Sequence, residues 1–161
     1  MTAKVTATAR PRASDCSSDG DEADPRLSAE QLEGARRSYP EPWMKGYLEF
    51  SAMMNGAKLK TPNHLVGRQI DCRPLRVRQI FSAVESSVSS ATVQSQFAAL
   101  ASELPDEVFP VAKSRDGDIY VVDRRGSVLI READRWSDEA DLPTVATTFD
   151  EFISLIRPGL R

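Results

Sequence analysis

Three carboxylates, Asp116, Asp118 and Asp123, gather around two glycine turns in the stretch FPVAKSRDGDIYVVDRRGSVLI, residues 109–130. Carboxylates near a tight turn suggest calcium or acid–base chemistry. An EF-hand loop needs oxygen ligands at alternating positions before its glycine and a glutamate at the twelfth. Here Ala112 and Ser114 stand at the earlier ligand positions, and Asp123 falls where the twelfth would be, inside a strand pattern. A glycosidase pair needs two carboxyl groups facing each other across a sugar cleft. Asp118 and Asp123 are an odd number of residues apart, so a regular strand sends them to opposite faces. The simpler assignment is that Asp116 and Asp123 build turns.

The other reactive side chains add no constellation. His64 is the sole histidine, which rules out a His-x-x-x-His metal site and leaves one route to a Ser-His-Asp triad. Ser28, Ser86, Ser87, Ser89 and Ser90 lack a Gly-x-Ser-x-Gly elbow. Cys16 and Cys72 are too few for a structural zinc site, and Cys16 lies in a polar stretch, so a disulfide is not expected. Neither a Gly-x-Gly-x-x-Gly nor a Walker loop is present. No catalytic residue, cofactor or metal is expected.

Composition bounds the partners. The chain has 161 residues with 40% hydrophobic and 28% charged, enough for one domain with a core. Its net charge of -3 argues against a nucleic-acid binder, which shows a basic surplus. There is neither an apolar run of membrane-spanning length nor a secretory signal at the N-terminus, and cysteine usage suits a reducing compartment. A cytoplasmic location, with no membrane partner, is the expectation.

Residues 1–25 are rich in Ala, Thr, Ser and Asp and short of large apolar side chains. Such a segment cannot offset its ordering entropy, so a disordered tail is expected there, with the domain over 26–161. The domain opens with LSAEQLEGARR, where Ser28 and Gln31 form a capping box and Leu27 and Leu32 a hydrophobic staple. In YPEPWMKGYLEFSAMMNG, Pro42 suits a first helical turn, and Trp43, Tyr47, Phe50 and Met54 share one helical face that core packing explains. Asn55-Gly56 ends that helix.

Residues 57–73 read as irregular. The alternation of Leu75, Val77 and Gln79 with Arg76, Arg78 and Ile80 predicts a strand. Arg68, Arg73, Arg76 and Arg78 invite a phosphate-binding reading, against which stands a solvated strand face. A helix follows with Val93, Phe97, Leu100 and Leu104 on one face, closed by Pro105. Three short strands then form a meander through turns at Gly117 and Gly126. The closing helix begins with Thr148 and Glu151 as a capping box and buries Phe149, Phe152, Ile153 and Ile156. The fold class is α+β: an antiparallel meander with helices on one face.

The order of these segments carries more than any one of them. YPEPWMKGYLEFSAMMNG, then LPDEVFPVAKSRDGDIYVVDRRGSVLI, then TTFDEFISLI resemble three successive signatures of the SUKH superfamily, over residues 27 to 157. Ala57 departs from a second glycine that the family often carries after Asn-Gly. The resemblance implies an α+β fold whose activity is binding. Many bacterial members are immunity proteins that neutralise toxins, often nucleases, delivered between competing cells; fungal members regulate or scaffold cell-wall synthesis. A cognate toxin is therefore the expected partner, and a scaffold or regulatory module the alternative. Tight binding would rest on aromatic or arginine anchors amid complementary charge. Candidate contacts are Arg115, Asp116, Asp118, Arg124, Arg125, Arg131, Asp134 and Trp136.

Overall fold

The computed structural model describes residues 22–23, 26–85, 91–134 and 142–158. In chain order they form β1 (Glu22–Ala23), α1 (Ala29–Ser38), α2 (Lys45–Met53), β2 (Ala57–Ile70), β3 (Arg73–Ile80), α3 (Val93–Ala99), β4 (Phe109–Lys113), β5 (Ile119–Val122), β6 (Val128–Arg131), β7 (Thr144–Ala146), α4 (Phe149–Leu155) and β8 (Ile156–Pro158). The strands make one sheet in the order β1-β2-β3-β4-β5-β6-β7, with β8 also on β2, and every pairing is antiparallel. The class is α+β, with the meander β4–β5–β6 where the sequence puts it.

Local chemistry sets the helix starts. Ser28 Oγ accepts from the Gln31 N–H at 3.1 Å, and Gln31 Oε1 accepts from the Ser28 N–H at 2.9 Å. This closes the expected box and satisfies two otherwise orphaned donors. Thr148 Oγ1 accepts from the Glu151 N–H at 3.1 Å, but the Glu151 carboxylate reaches the N–H and hydroxyl of Thr147 instead of the cap's own N–H. Pro42 lies in the turn before α2, which begins only at Lys45.

Asn55 is buried and fastens the end of α2 to a distant segment. Its Oδ1 accepts from the N–H groups of Ala83 at 2.8 Å and Val84 at 3.2 Å, and its Nδ2 donates to the Val84 carbonyl at 2.8 Å. Gly56 follows at φ 90, and a Cβ there would lie 2.7 Å from Ser82 Oγ and 3.0 Å from the Ile80 carbonyl oxygen. Only glycine allows both this conformation and this approach.

Residues 57–70, read from sequence as irregular, are instead a 14-residue strand. Its pairing with β3 loses register twice, between Lys58 and Asn63 and between His64 and Gln69. Each break shifts the alternation of faces, so no period of two survives in the sequence. Pro62 and the positive-φ Gly67 fall inside the two breaks, and both residue types favour such irregularities over a regular ladder. Glu22–Ala23, within the segment expected to be a tail, pairs with Ala57 and Lys58; the rest of residues 1–25 lies outside the described residues.

Two cores flank the sheet. The larger takes the buried residues of all four helices, including Ala35, Tyr47, Phe50, Val93, Phe149 and Phe152, against Leu75, Val77, Tyr120, Val122 and Ile130. Each valine, leucine, isoleucine or phenylalanine among them contributes about 1.5–3 kcal/mol on leaving water. On the other face of the meander, Ile119 and Val121 pack with Leu104 and Val108, joined by Leu100, Leu129 and Leu142. Helices occupy one face, as expected, while irregular chain covers the other. This explains why all four residues of β5 are buried.

Candidate functional site

The turns β4–β5 and β5–β6 lie at opposite ends of β5, because Ile119 pairs with Lys113 and Arg131 while Val122 pairs with Phe109 and Val128. The residues named from sequence as partner contacts therefore divide. Arg115, Asp116, Asp118, Arg131 and Asp134 sit at one end, and Arg124 and Arg125 at the other. Trp136 lies outside the described residues.

At the first end the arrangement is structural. Asp118 is 2% exposed, so it cannot serve as a surface contact. Its Oδ2 accepts from Arg73 Nη1 at 2.8 Å and Ser114 Oγ at 3.2 Å, and its Oδ1 accepts from the Ala133 N–H at 3.1 Å. Arg73 Nη2 also meets Glu132 Oε1 at 3.2 Å. Hydrogen bonding to Asp118 is the main reason the Arg73 guanidinium is held even more firmly protonated than usual. The knot ties the β2–β3 hairpin to the β4–β5 turn and the end of β6. Arg131 is also engaged, its Nη2 lying 2.7 Å from Glu103 Oε2. Arg115, Asp116 and Asp134 are exposed.

The arginines that suggested phosphate binding disperse as well. Arg68 turns to Val145 and Glu151, Arg73 to Asp118 and Glu132, and Arg78 Nη1 donates to the Leu59 carbonyl. Arg76 alone of the four stands exposed with its carbonyl, not its side chain, in use, accepting from the Tyr120 hydroxyl at 2.6 Å.

The second end is different in kind. Phe97 stacks on Phe109, with ring centroids 5.2 Å apart and planes 21° from parallel. Phe109 in turn meets Trp43 and Tyr39 edge-on, each at 6.2 Å. Arg124 places its Cζ 5.6 Å from the Trp43 ring centre and pairs with Glu107. The turn that carries Arg124 and Arg125 is seated against this cluster: a Cβ on Gly126 would lie 3.4 Å from the Trp43 carbonyl oxygen. Asp123 shapes that turn as expected, its Oδ1 accepting from the N–H groups of Arg125 and Ser127, each at 2.9 Å. Phe97 is 38% exposed, and Trp43 and Phe109 are half-buried.

This surface joins large rigid aromatic area to arginine, the composition of interface anchors. An exposed cation–π contact adds about 0.5–1 kcal/mol and, more usefully, holds the guanidinium in one place. Sequence reasoning named Arg124 and Arg125 but assigned Trp43 and Phe97 to core faces. The shortness of α3 explains Phe97: the helix ends at Ala99, so Val93 enters the large core while Leu100 and Leu104 turn to the small one. Phe97 is left on the rim between them. Trp43 precedes α2 by two residues and is not on its face at all.

A separate hollow of about 360 Å³ lies between α1 and the segments around Val84 and Gln94. Its wall groups bond one another: Tyr39 Oη donates to the Ala83 carbonyl at 2.9 Å, and Ser38 Oγ to the Gly34 carbonyl at 3.1 Å. Among the described residues, no group of three His, Cys, Asp or Glu side chains is placed to hold a metal, and no helix is long and apolar enough to cross a membrane. No protein-family model matches the chain, and no curated protein matches it.

Proposed function

We propose that this protein is a binding module of the immunity type, which neutralises a cognate toxin in the cytoplasm by holding it, and that the aromatic–arginine surface is its grip. The observation that carries the reading is Phe97, 38% exposed and stacked on Phe109 beside the Arg124–Trp43 contact. A stability argument alone would place that ring inside. Held against the Phe109 ring, Phe97 and Trp43 offer contact area with little rotamer entropy left to lose, which favours affinity. Arg124, Arg125 and Glu107 supply a charged rim that sets orientation. The resemblance of residues 27–157 to the SUKH superfamily supports the toxin as partner.

The test is co-expression with the toxin encoded beside this gene, read as cell survival and as recovery of a complex. Phe97→Asp combined with Arg125→Glu should weaken the complex at least about a hundredfold, that is by about 2.7 kcal/mol, while the thermal midpoint holds. A complex that survives both changes would place the grip elsewhere. If no neighbouring toxin binds or is neutralised, the immunity reading falls.

A further inference from the structure

A second surface lies on the solvent face of β8, β2 and β3. His64 on β2 is directly opposite Arg76 on β3 and Arg157 on β8. Cross-strand partners share a face at a spacing of about 4.8 Å. The three residues thus form a row across adjacent strands, and Arg78 adds a further cation on β3, about 7 Å from Arg76. Arg76, Arg78 and Arg157 are exposed, and His64 is half-buried.

The row differs from the arginines that tie the fold together. Arg68, Arg73, Arg124 and Arg131 each meet a carboxylate. Among the described residues no carboxylate pairs with Arg76, Arg78 or Arg157. Arg78 and Arg157 are held instead by carbonyls: Arg78 by Leu59, in the stretch where β2 and β3 lose register, and Arg157 by Ser154 at 2.6 Å and Ile156 at 2.9 Å. A carbonyl fixes a guanidinium without neutralising it, which leaves its remaining N–H groups aimed outward.

We propose that this row docks an acidic segment of a partner protein. Fixed guanidinium forks match carboxylates, which bind them bidentately. The patch is short, in a chain of net charge -3, and exposed Val66 lies two residues from His64 on β2. A mixed basic and apolar patch of this size suits a protein rather than the long phosphate track of a nucleic acid. The proposal stands apart from the aromatic surface and does not need the partner to be a toxin.

His64 is the chain's one histidine, so its ring signal in NMR is a single reporter in the middle of the row. The 161-residue chain is titrated at low salt with a deca-glutamate peptide. The His64 signal should move and saturate, and Arg76→Glu with Arg157→Glu should weaken binding at least about tenfold. Arg36→Glu with Arg115→Glu, at exposed positions outside the row, changes net charge equally and should stay within about twofold. Arg76→Gln alone, gentler to the strand, should weaken binding about threefold. An unmoved His64 signal, equal loss in the control variant, or tighter binding of a DNA duplex of equal charge would overturn the proposal.

Discussion

Arg68 and Val145 join two strands far apart in the sheet path: the Nε–H of Arg68 on β2 donates to the Val145 carbonyl on β7 at 2.6 Å. Between these strands in the hydrogen-bonded order lie β3, β4, β5 and β6. The sheet has therefore curled until a side chain bridges what a backbone ladder does not. The same guanidinium reaches Glu151 Oε1 at 3.1 Å, so α4 is fastened at the same point. Edge strands invite unwanted pairing, and an arginine on an edge carbonyl is one way to close them.

Replacing Arg68 with alanine should destabilise the fold by about 1–3 kcal/mol, since the Val145 carbonyl would lose its partner. Lysine should recover less than half of that, because one ammonium cannot serve a carbonyl and a carboxylate in the same planar arrangement. Urea denaturation gives the first number, and faster amide exchange confined to β7 and α4 identifies the site.

Glu151 makes a pH prediction. The Thr147 N–H and hydroxyl, followed by the Arg68 charge, lower its pKa below the ordinary glutamate value. A carboxylate depressed in the folded state stabilises fully above its unfolded pKa, and the contribution is lost as pH falls through the folded value. Melting between neutral pH and pH values below about 4 should show Glu151→Gln less stable than the parent at neutral pH and converging with it on the acid side.

The three tyrosines, Tyr39, Tyr47 and Tyr120, set an opposite limit on the alkaline side. Burial raises all three: Tyr39 to about 12, Tyr47 well above its ordinary value, and Tyr120 likewise with help from the Asp118 charge. The unfolded chain loses these protons near pH 10, before the folded chain does, so stability falls as pH rises beyond about 10. Tyrosinate absorbance should therefore remain absent near pH 10 and then appear together with loss of near-ultraviolet circular dichroism. A gradual rise without unfolding would show that at least one ring is accessible.

Asp118→Asn should lower stability by about 1–3 kcal/mol, since it removes the charge facing Arg73 while keeping the shape. Arg73 is partly open to water, which limits the loss. Asp116→Ala and Arg115→Ala, on the exposed part of the same turn, should stay within about 0.5 kcal/mol. Equilibrium denaturation of the three variants separates the structural carboxylate from its surface neighbours.

Features encoded within a few residues were legible in sequence. The Ser28–Gln31 box, the alternation of Leu75 and Val77, and the turn chemistry of Asp123 each depend on neighbours close in the chain. The meander was legible for the same reason. Relationships across long separations were not. Asp118 and Arg73 are 45 residues apart, and nothing around either announces the other. The face of Phe97 depended on where α3 stops, a boundary that helical spacing alone placed too late. β2 was hidden because its register breaks erase the alternation by which strands are recognised.

The pairing of β8 with β2 bears on how the chain is made. Residues 63–65 find their outer neighbours only in 156–158, and α4 sits on the sheet immediately before them. During synthesis this flank of β2 waits, uncovered, while the meander, made earlier and from short-range hairpins, can already assemble. A chaperone that recognises bare strands would find its target there, on a nascent chain whose meander is already made.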